Sequence, residues 1–400
     1  MSDSTVDPRL LRPPPKRSMT LSWRDERVRA IFWQIVIVGV VVAIVWWLAR
    51  NTAHNLEVRR IATGFGFLNR EAGLPIAEHV IDYTPADTYS RALLIGVLNT
   101  LKVAIVGIVL ATILGTLVGI ARLSKNWLLR KISGFYVEII RDVPLLLQLL
   151  FWYTLLQALP NPRQALSPVA GVFLTNRGLR LPFIEWTQTH WWALLAMVVG
   201  VIATWTYAKG MRRRQMADGQ PRRIWPAGIG FIIGLPLVVW ALGGAPFTPD
   251  VPALRGFNFA GGVTLSPEYF ALLAGLVTYT AAFIAEIVRA GILAVPGGQW
   301  EAAQALGLRP GVVLKQIVLP QALRVIVPPM TSQFLNLTKN SSLAVAIGYQ
   351  DIVSIANTTL NQTGQAIEGI AIIMAVYLTI SLSISLFMNW YNARIALVER

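Results

Sequence analysis

Eight apolar stretches, at roughly 31–49, 92–121, 137–159, 191–208, 224–243, 268–293, 322–349 and 367–391, dictate what this chain can become. Each is long enough, as a helix, to cross a hydrocarbon core of about 30 Å. Inside that core every backbone N–H and C=O must be paired within the protein, so such segments are read as helices. An all-α integral membrane protein with about eight transmembrane helices follows. The seventh stretch is the least regular, with Pro328-Pro329 near its start and the polar run Thr338-Lys339-Asn340-Ser341-Ser342 inside it.

Composition agrees, with 54% hydrophobic and 14% charged residues over 400 positions and a mean hydropathy of +0.55. The net charge of +15 raises nucleic acid as a partner. The basic residues nevertheless gather between the apolar stretches, as cytoplasmic loops of membrane proteins do, so no nucleic acid is expected. With the N-terminus inside, the inner segments hold 23 Lys and Arg against 9 in the outer loops. That asymmetry puts both termini and the segment 295–320 on the cytoplasmic side. The chain has no cysteine, which excludes disulfides and thiolate metal sites. His54, His79 and His190 fall in outer loops or at a span edge, so no metal or other cofactor is expected.

The first thirty residues, with Pro13-Pro14-Pro15 and scattered Arg and Lys, read as a cytoplasmic tail. The stretch 31–49 is longer than a signal-peptide core and reads as a retained anchor.

Between the sixth and seventh stretches lies EAAQALGLRPGVVLKQIVLP, residues 301–320. Pro296-Gly297-Gly298 breaks the preceding span, and Gln299 to Leu308 can form a short helix. Glu301 sits in its first turn, where a carboxylate favours the positive helix end. Ala302, Ala303 and Leu306 are small or apolar at helical spacing, suited to a groove on a partner. Gly307 permits close backbone approach or a left-handed stop before Arg309-Pro310-Gly311. From residues alone, an amphipathic hairpin at the membrane interface explains the segment equally well.

The spacing resembles the EAA loop of importer-type ABC permeases: Glu301, Ala302 and Ala303, three residues, Gly307, nine residues, then Ile317, Leu319 and Pro320. In that family the loop is a coupling helix that inserts into a cytoplasmic ATPase. The chain has no G-x-x-x-x-G-K-[ST] phosphate loop, so an ATPase dimer is an implied partner. The flanking runs 279–300, 135–148 and 320–343 resemble the polar amino acid permeases of the His/Glu/Gln/Arg/opine group. The resemblance implies a type I importer core of five helices, in 90–160 and 268–400. It also implies a periplasmic amino-acid-binding protein and an L-amino acid substrate.

The extra helix 31–49 and the segment 161–267, with two more spans, depart from the simple core. They resemble the larger permease subunits of general L-amino acid and glutamate/glutamine/aspartate/asparagine importers, which pair two different permeases. The insert's six basic residues between 209 and 223 could face lipid phosphates.

Charge inside a span needs a reason. Glu286 and Arg289, and Glu138 and Arg141, are three apart on their helices and expected to pair locally near the inner face. Lys102, half-way along the second span, Lys339 in the seventh and Glu368 at the start of the eighth stand apart. A zwitterion needs cationic or N–H groups for its carboxylate and acceptors for its ammonium. Lys339, Thr338, Asn340, Ser341 and Ser342 could supply the former; Glu368, Asn99 and Gln333 the latter. Thr100, Lys102 and Gln148 complete the candidate path. Snorkelling lysines and helix-bridging hydroxyls are the structural alternative. An intramembrane enzyme is disfavoured because no span interior holds His or Cys. An ion-driven transporter, and an ABC permease for another solute, stay as alternatives.

Overall fold

A computed structural model describes Trp23, Glu26–Val58, residues 63–220 and residues 223–395. Most of the expected tail 1–30 lies outside the described residues. The chain divides into two units. In one, α1 (Glu26–Val58) is a single 33-residue helix, apolar around its circumference, that runs well past the expected 31–49.

The other unit holds α2 (Tyr89–Ala121), α3 (Trp127–Asp142), α4 (Leu145–Gln157), α5 (Gln188–Asp218), α6 (Trp225–Ile229) and α7 (Leu235–Leu242). It continues with α8 (Pro267–Leu293), α9 (Gly297–Ala305), α10 (Pro310–Val313), α11 (Leu319–Asn340), α12 (Ile352–Thr363) and α13 (Ala366–Ile395). Among the described residues, seven helices are long and apolar enough to cross a membrane, and the bent pair α3–α4 makes an eighth when counted as one span.

That pair occupies the place of the span expected over 137–159 and begins earlier, at Trp127. α3 and α4 meet at 106°. Pro144 lacks the N–H that would continue the ladder and pushes Val143 to extended angles, φ −91° and ψ 128°. The Gln148 amide then ties the corner by donating to Ile140 O and Val143 O, both at 2.9 Å.

The core is built on α2 and α8. They run parallel, because Gly115 faces Ala281 and Ile284 while Gly119, one turn on, faces Ala285 and Val288. A Cβ at Gly115 would lie 2.6 Å from the Ile284 Cβ, so only glycine lets the helices approach this closely. α11 returns antiparallel: Ala322 and Ile326 meet Gly291, and Leu337 meets Gly107. Leu149, Leu272, Leu276, Ile284 and Leu337 are fully buried between these helices.

The seventh span is irregular, as its sequence leads one to expect. A π turn at Leu314–Val318 leads into α11, whose interior carries Pro328 and Pro329, and a 3-10 turn at Ser341–Ile347 follows. α5 packs on α7, with Gly200 against the Phe231 carbonyl.

The segment 161–267 contains strands that hydropathy does not announce. β1 (Leu166–Val169), β2 (Val172–Thr175), β3 (Gly178–Leu181) and β8 (Val263–Leu265) form an antiparallel sheet in that order. β4 (Phe183–Ile184) pairs with β5 (Pro249–Asp250), and β6 (Ala253–Arg255) with β7 (Asn258–Ala260).

Candidate functional site

One end of the bundle carries the 295–320 loop. Pro296 starts α9, and Gly307 ends it at φ +68°. Gly307 N–H donates to Gln304 O at 2.9 Å and Leu308 N–H to Ala303 O at 3.2 Å, the two bonds of a Schellman stop. A Cβ on Gly307 would meet nothing within 4 Å, so the glycine is required by its backbone angle and not by close packing. Glu301, Ala302, Leu306 and Gly307 face outward, and Leu306 is 78% exposed. Ala303 departs from expectation: it is buried with Val295, Val313 and Val318 and seats the loop on the bundle. The loop therefore has an anchored face and a free face.

Just inside this end, Glu286 ties α2 to α8. It meets Arg122 at the end of α2 and binds Arg289 through Nη2 at 2.5 Å. The expected Glu286–Arg289 pair is thus present as part of a bracket between α2 and α8. The Glu138–Arg141 pair is not, because Arg141 lies over the Phe283 ring at 5.2 Å.

The opposite end gathers a second polar cluster. α2 is roughly 50 Å long at 1.5 Å per residue, longer than the hydrocarbon core. Lys102 lies about one turn before the midpoint of α2. Its Nζ pairs with Glu78 Oε2 at 3.1 Å and lies 4.1 Å from the centre of the Tyr269 ring. Asn99 Nδ2 donates to the carbonyls of Glu78 and Gln350, both at 2.9 Å. Thr100 Oγ1 donates to Gly96 O and accepts from Ile352 N–H at 3.2 Å. Gln350 closes the strap 75–78 by accepting from Ala77 N–H and donating to Pro75 O.

Of the residues expected along a path, Asn99, Thr100 and Lys102 meet in this cluster, while Gln148 holds the α3–α4 corner. Ser341 and Ser342 donate to backbone carbonyls of Thr338 and Lys339. Lys339 is exposed, Gln333 and Asn340 are half-buried, and Glu368 is buried in the first turn of α13. Glu78, Gln350 and Asp351 escape a reading of the sequence, since they sit in segments without periodicity. Asp351 is fully buried, accepts from Ser354 N–H at 2.9 Å and from the Tyr377 hydroxyl at 3.4 Å. Burial pushes its carboxyl up to about 7.

The chain as a whole is similar to known proteins. Residues 228–397 match the family model for the binding-protein-dependent transport system inner membrane component. The chain is 54% identical over 383 residues to YhdX of Escherichia coli, named as an amino-acid ABC transporter permease protein, covering 95% of this chain and 98% of that one. The chain belongs to this family. It is thus a multi-span permease subunit of the inner membrane with the type I importer fold, and its family works with an ATPase and a binding protein. A further member of the transport family, the general L-amino acid transport system permease protein AapQ of Rhizobium johnstonii, is 50% identical over 378 residues, 94% of each chain. The glutamate/glutamine/aspartate/asparagine transport system permease protein BztB of Rhodobacter capsulatus is 42% identical over 423 residues, 97% of this chain and 99% of its own.

Proposed function

We propose that this chain is one of two different permease subunits in an ATP-driven importer of polar or general L-amino acids. A periplasmic binding protein delivers substrate, the paired permeases form the path, and two cytoplasmic ATPases drive alternating access. The observation that carries the reading is α9, seated on the bundle through Ala303 and presenting Glu301, Ala302 and Leu306 outward. A short helix fixed on one side and free on the other can take a push from a partner and pass it to α8 and α11. The relatives named for amino-acid transport support the substrate class. The excess of Lys and Arg in the inner segments supports cytoplasmic termini. The chain makes and breaks no bonds in this scheme.

The domain assignment keeps 90–160 and 268–400 as the transporting core and 161–267 as an addition beside it. Gln333, Lys339 and Asn340 on α11, Ser341 and Ser342 in the turn after it and Glu368 at the start of α13 are proposed to line the path with Asn99, Thr100, Lys102 and Gln148.

The test is uptake of labelled glutamate, glutamine, leucine and arginine in cells lacking the gene, complemented with wild type or Gly307→Asp. A side chain at φ +68° costs about 1–2 kcal/mol locally and disturbs the stop without touching the bundle. Uptake of several amino acids is expected to return with wild type and to stay at least tenfold lower with an equally abundant Gly307→Asp. Unchanged uptake of all four in the deletion, with parallel importers also removed, would sink the amino-acid reading and leave a permease for another solute.

A further inference from the structure

We infer that the cavity beneath the strap 75–78 is an outer binding site for the α-ammonium of the substrate, with Glu78 as its carboxylate and Lys102 as the cation it displaces. The inference rests on the amino-acid reading above. The cavity encloses about 560 Å³ and is bounded by the strap, Ser266, Glu268 and residues 348–350. Two carboxylates, Glu78 and Glu268, line it, and no Lys or Arg does. Lys102 balances Glu78 from α2, so a cation that enters must take its place.

Glu78 is held as a preformed acceptor. Its carbonyl takes the Asn99 amide, and its Oε1 takes Ser266 N–H at 3.0 Å, so Oε2 keeps its direction when Lys102 leaves. Lys102 Nζ lies over the Tyr269 ring at 4.1 Å at the same time as it pairs with Glu78, so opening the pair does not strand a bare charge. Asn99 adds an independent sign. Its side chain is 0% exposed, and its Oδ1 is a buried acceptor with no partner among the described residues. Buried acceptors are rarely left without a donor. Asn99 touches Glu78 and Gln350, both of which line the cavity.

The exchange is one charge-assisted bond for another. The arriving ammonium takes Oε2 of Glu78, and the freed Lys102 ammonium becomes a partner for the α-carboxylate of the same molecule. Every amino acid carries both groups, so the site reads the backbone of the substrate and leaves its side chain unread. Binding also opens the Lys102–Glu78 pair between α2 and the strap, while the Asn99 amide keeps the strap on α2.

The experiment compares wild type, Glu78→Gln and the neutral pair Glu78→Gln/Lys102→Gln at matched membrane abundance in the complemented cells. Initial uptake of labelled leucine, glutamate and arginine is measured over a concentration series. The neutral pair retains a side-chain hydrogen bond between strap and α2, so a purely structural latch predicts uptake close to wild type. The inference predicts at least a tenfold rise in KM for all three substrates in both variants. Uptake by the neutral pair within twofold of wild type would reduce Glu78 to a strap. Loss confined to arginine would mean that the cavity reads side-chain cations, and overturns the α-ammonium assignment. No uptake by wild type itself would remove the amino-acid reading, and this site with it.

Discussion

Asp351 shows how much one buried side chain can be read from its surroundings. Its carboxyl is fully enclosed, caps the start of α12 through Ser354 N–H and meets the Tyr377 hydroxyl. Burial raises its pKa to about 7, well above the ordinary carboxylate value, so the folded state holds a proton that the unfolded state gives up. The stability this contributes is complete below the ordinary value and is lost as pH rises through about 7. Asp351→Asn keeps the cap through its Oδ1 and can donate to Tyr377 through its Nδ2. In detergent, its thermal midpoint is expected above wild type at pH 8, the gap closing toward pH 5. A gap of constant size would contradict this account. Residues of this kind are the hardest to see in a sequence. Gly307 is legible because a spacing surrounds it, and its left-handed angle bears out one of the two roles open to it. Glu78 is not legible, because Lys102 lies 24 residues away on another element and only the folded chain brings them together.

At the scale of elements, hydropathy finds the spans and misses what interrupts or joins them. Long apolar runs mark α2, α8 and α13, because nothing else satisfies their backbone in lipid. The corner between α3 and α4 has its signal in Pro144, hidden within a run that is apolar on both sides. The strands of the 161–267 segment are two to four residues each, too short for a period-two pattern to emerge. α12 has twelve residues and cannot span, so it hides among polar connections. One close contact between long elements is the glycine seam of α2 and α8. Gly115→Val would drive a Cβ to 2.6 Å from the Ile284 Cβ and 2.8 Å from the Ala281 carbonyl. Overpacking of this sort costs about 1–3 kcal/mol. Membrane abundance and detergent melting temperature are both expected to fall. Gly39→Ala on α1, where a Cβ meets nothing within 4 Å, is expected to leave both unchanged.

For the whole molecule, orientation is the property on which the proposed mechanism depends. The chain has no cysteine, so single cysteines can be introduced without a background. Ser167 on β1 and Lys125 before α3 are both exposed. With the termini inside, Ser167→Cys should react with a membrane-impermeant maleimide on spheroplasts, and Lys125→Cys only after permeabilisation. The reverse pattern would invert the topology and place α9 out of reach of any ATPase. The outward face of α9 also bears on how an assembly is built. Leu306 stands 78% exposed on a helix whose end is fixed by two hydrogen bonds, so it cannot fold away when nothing covers it. A copy synthesised ahead of its companions thus wears a greasy badge of incompleteness, the kind of surface that chaperones and membrane proteases engage.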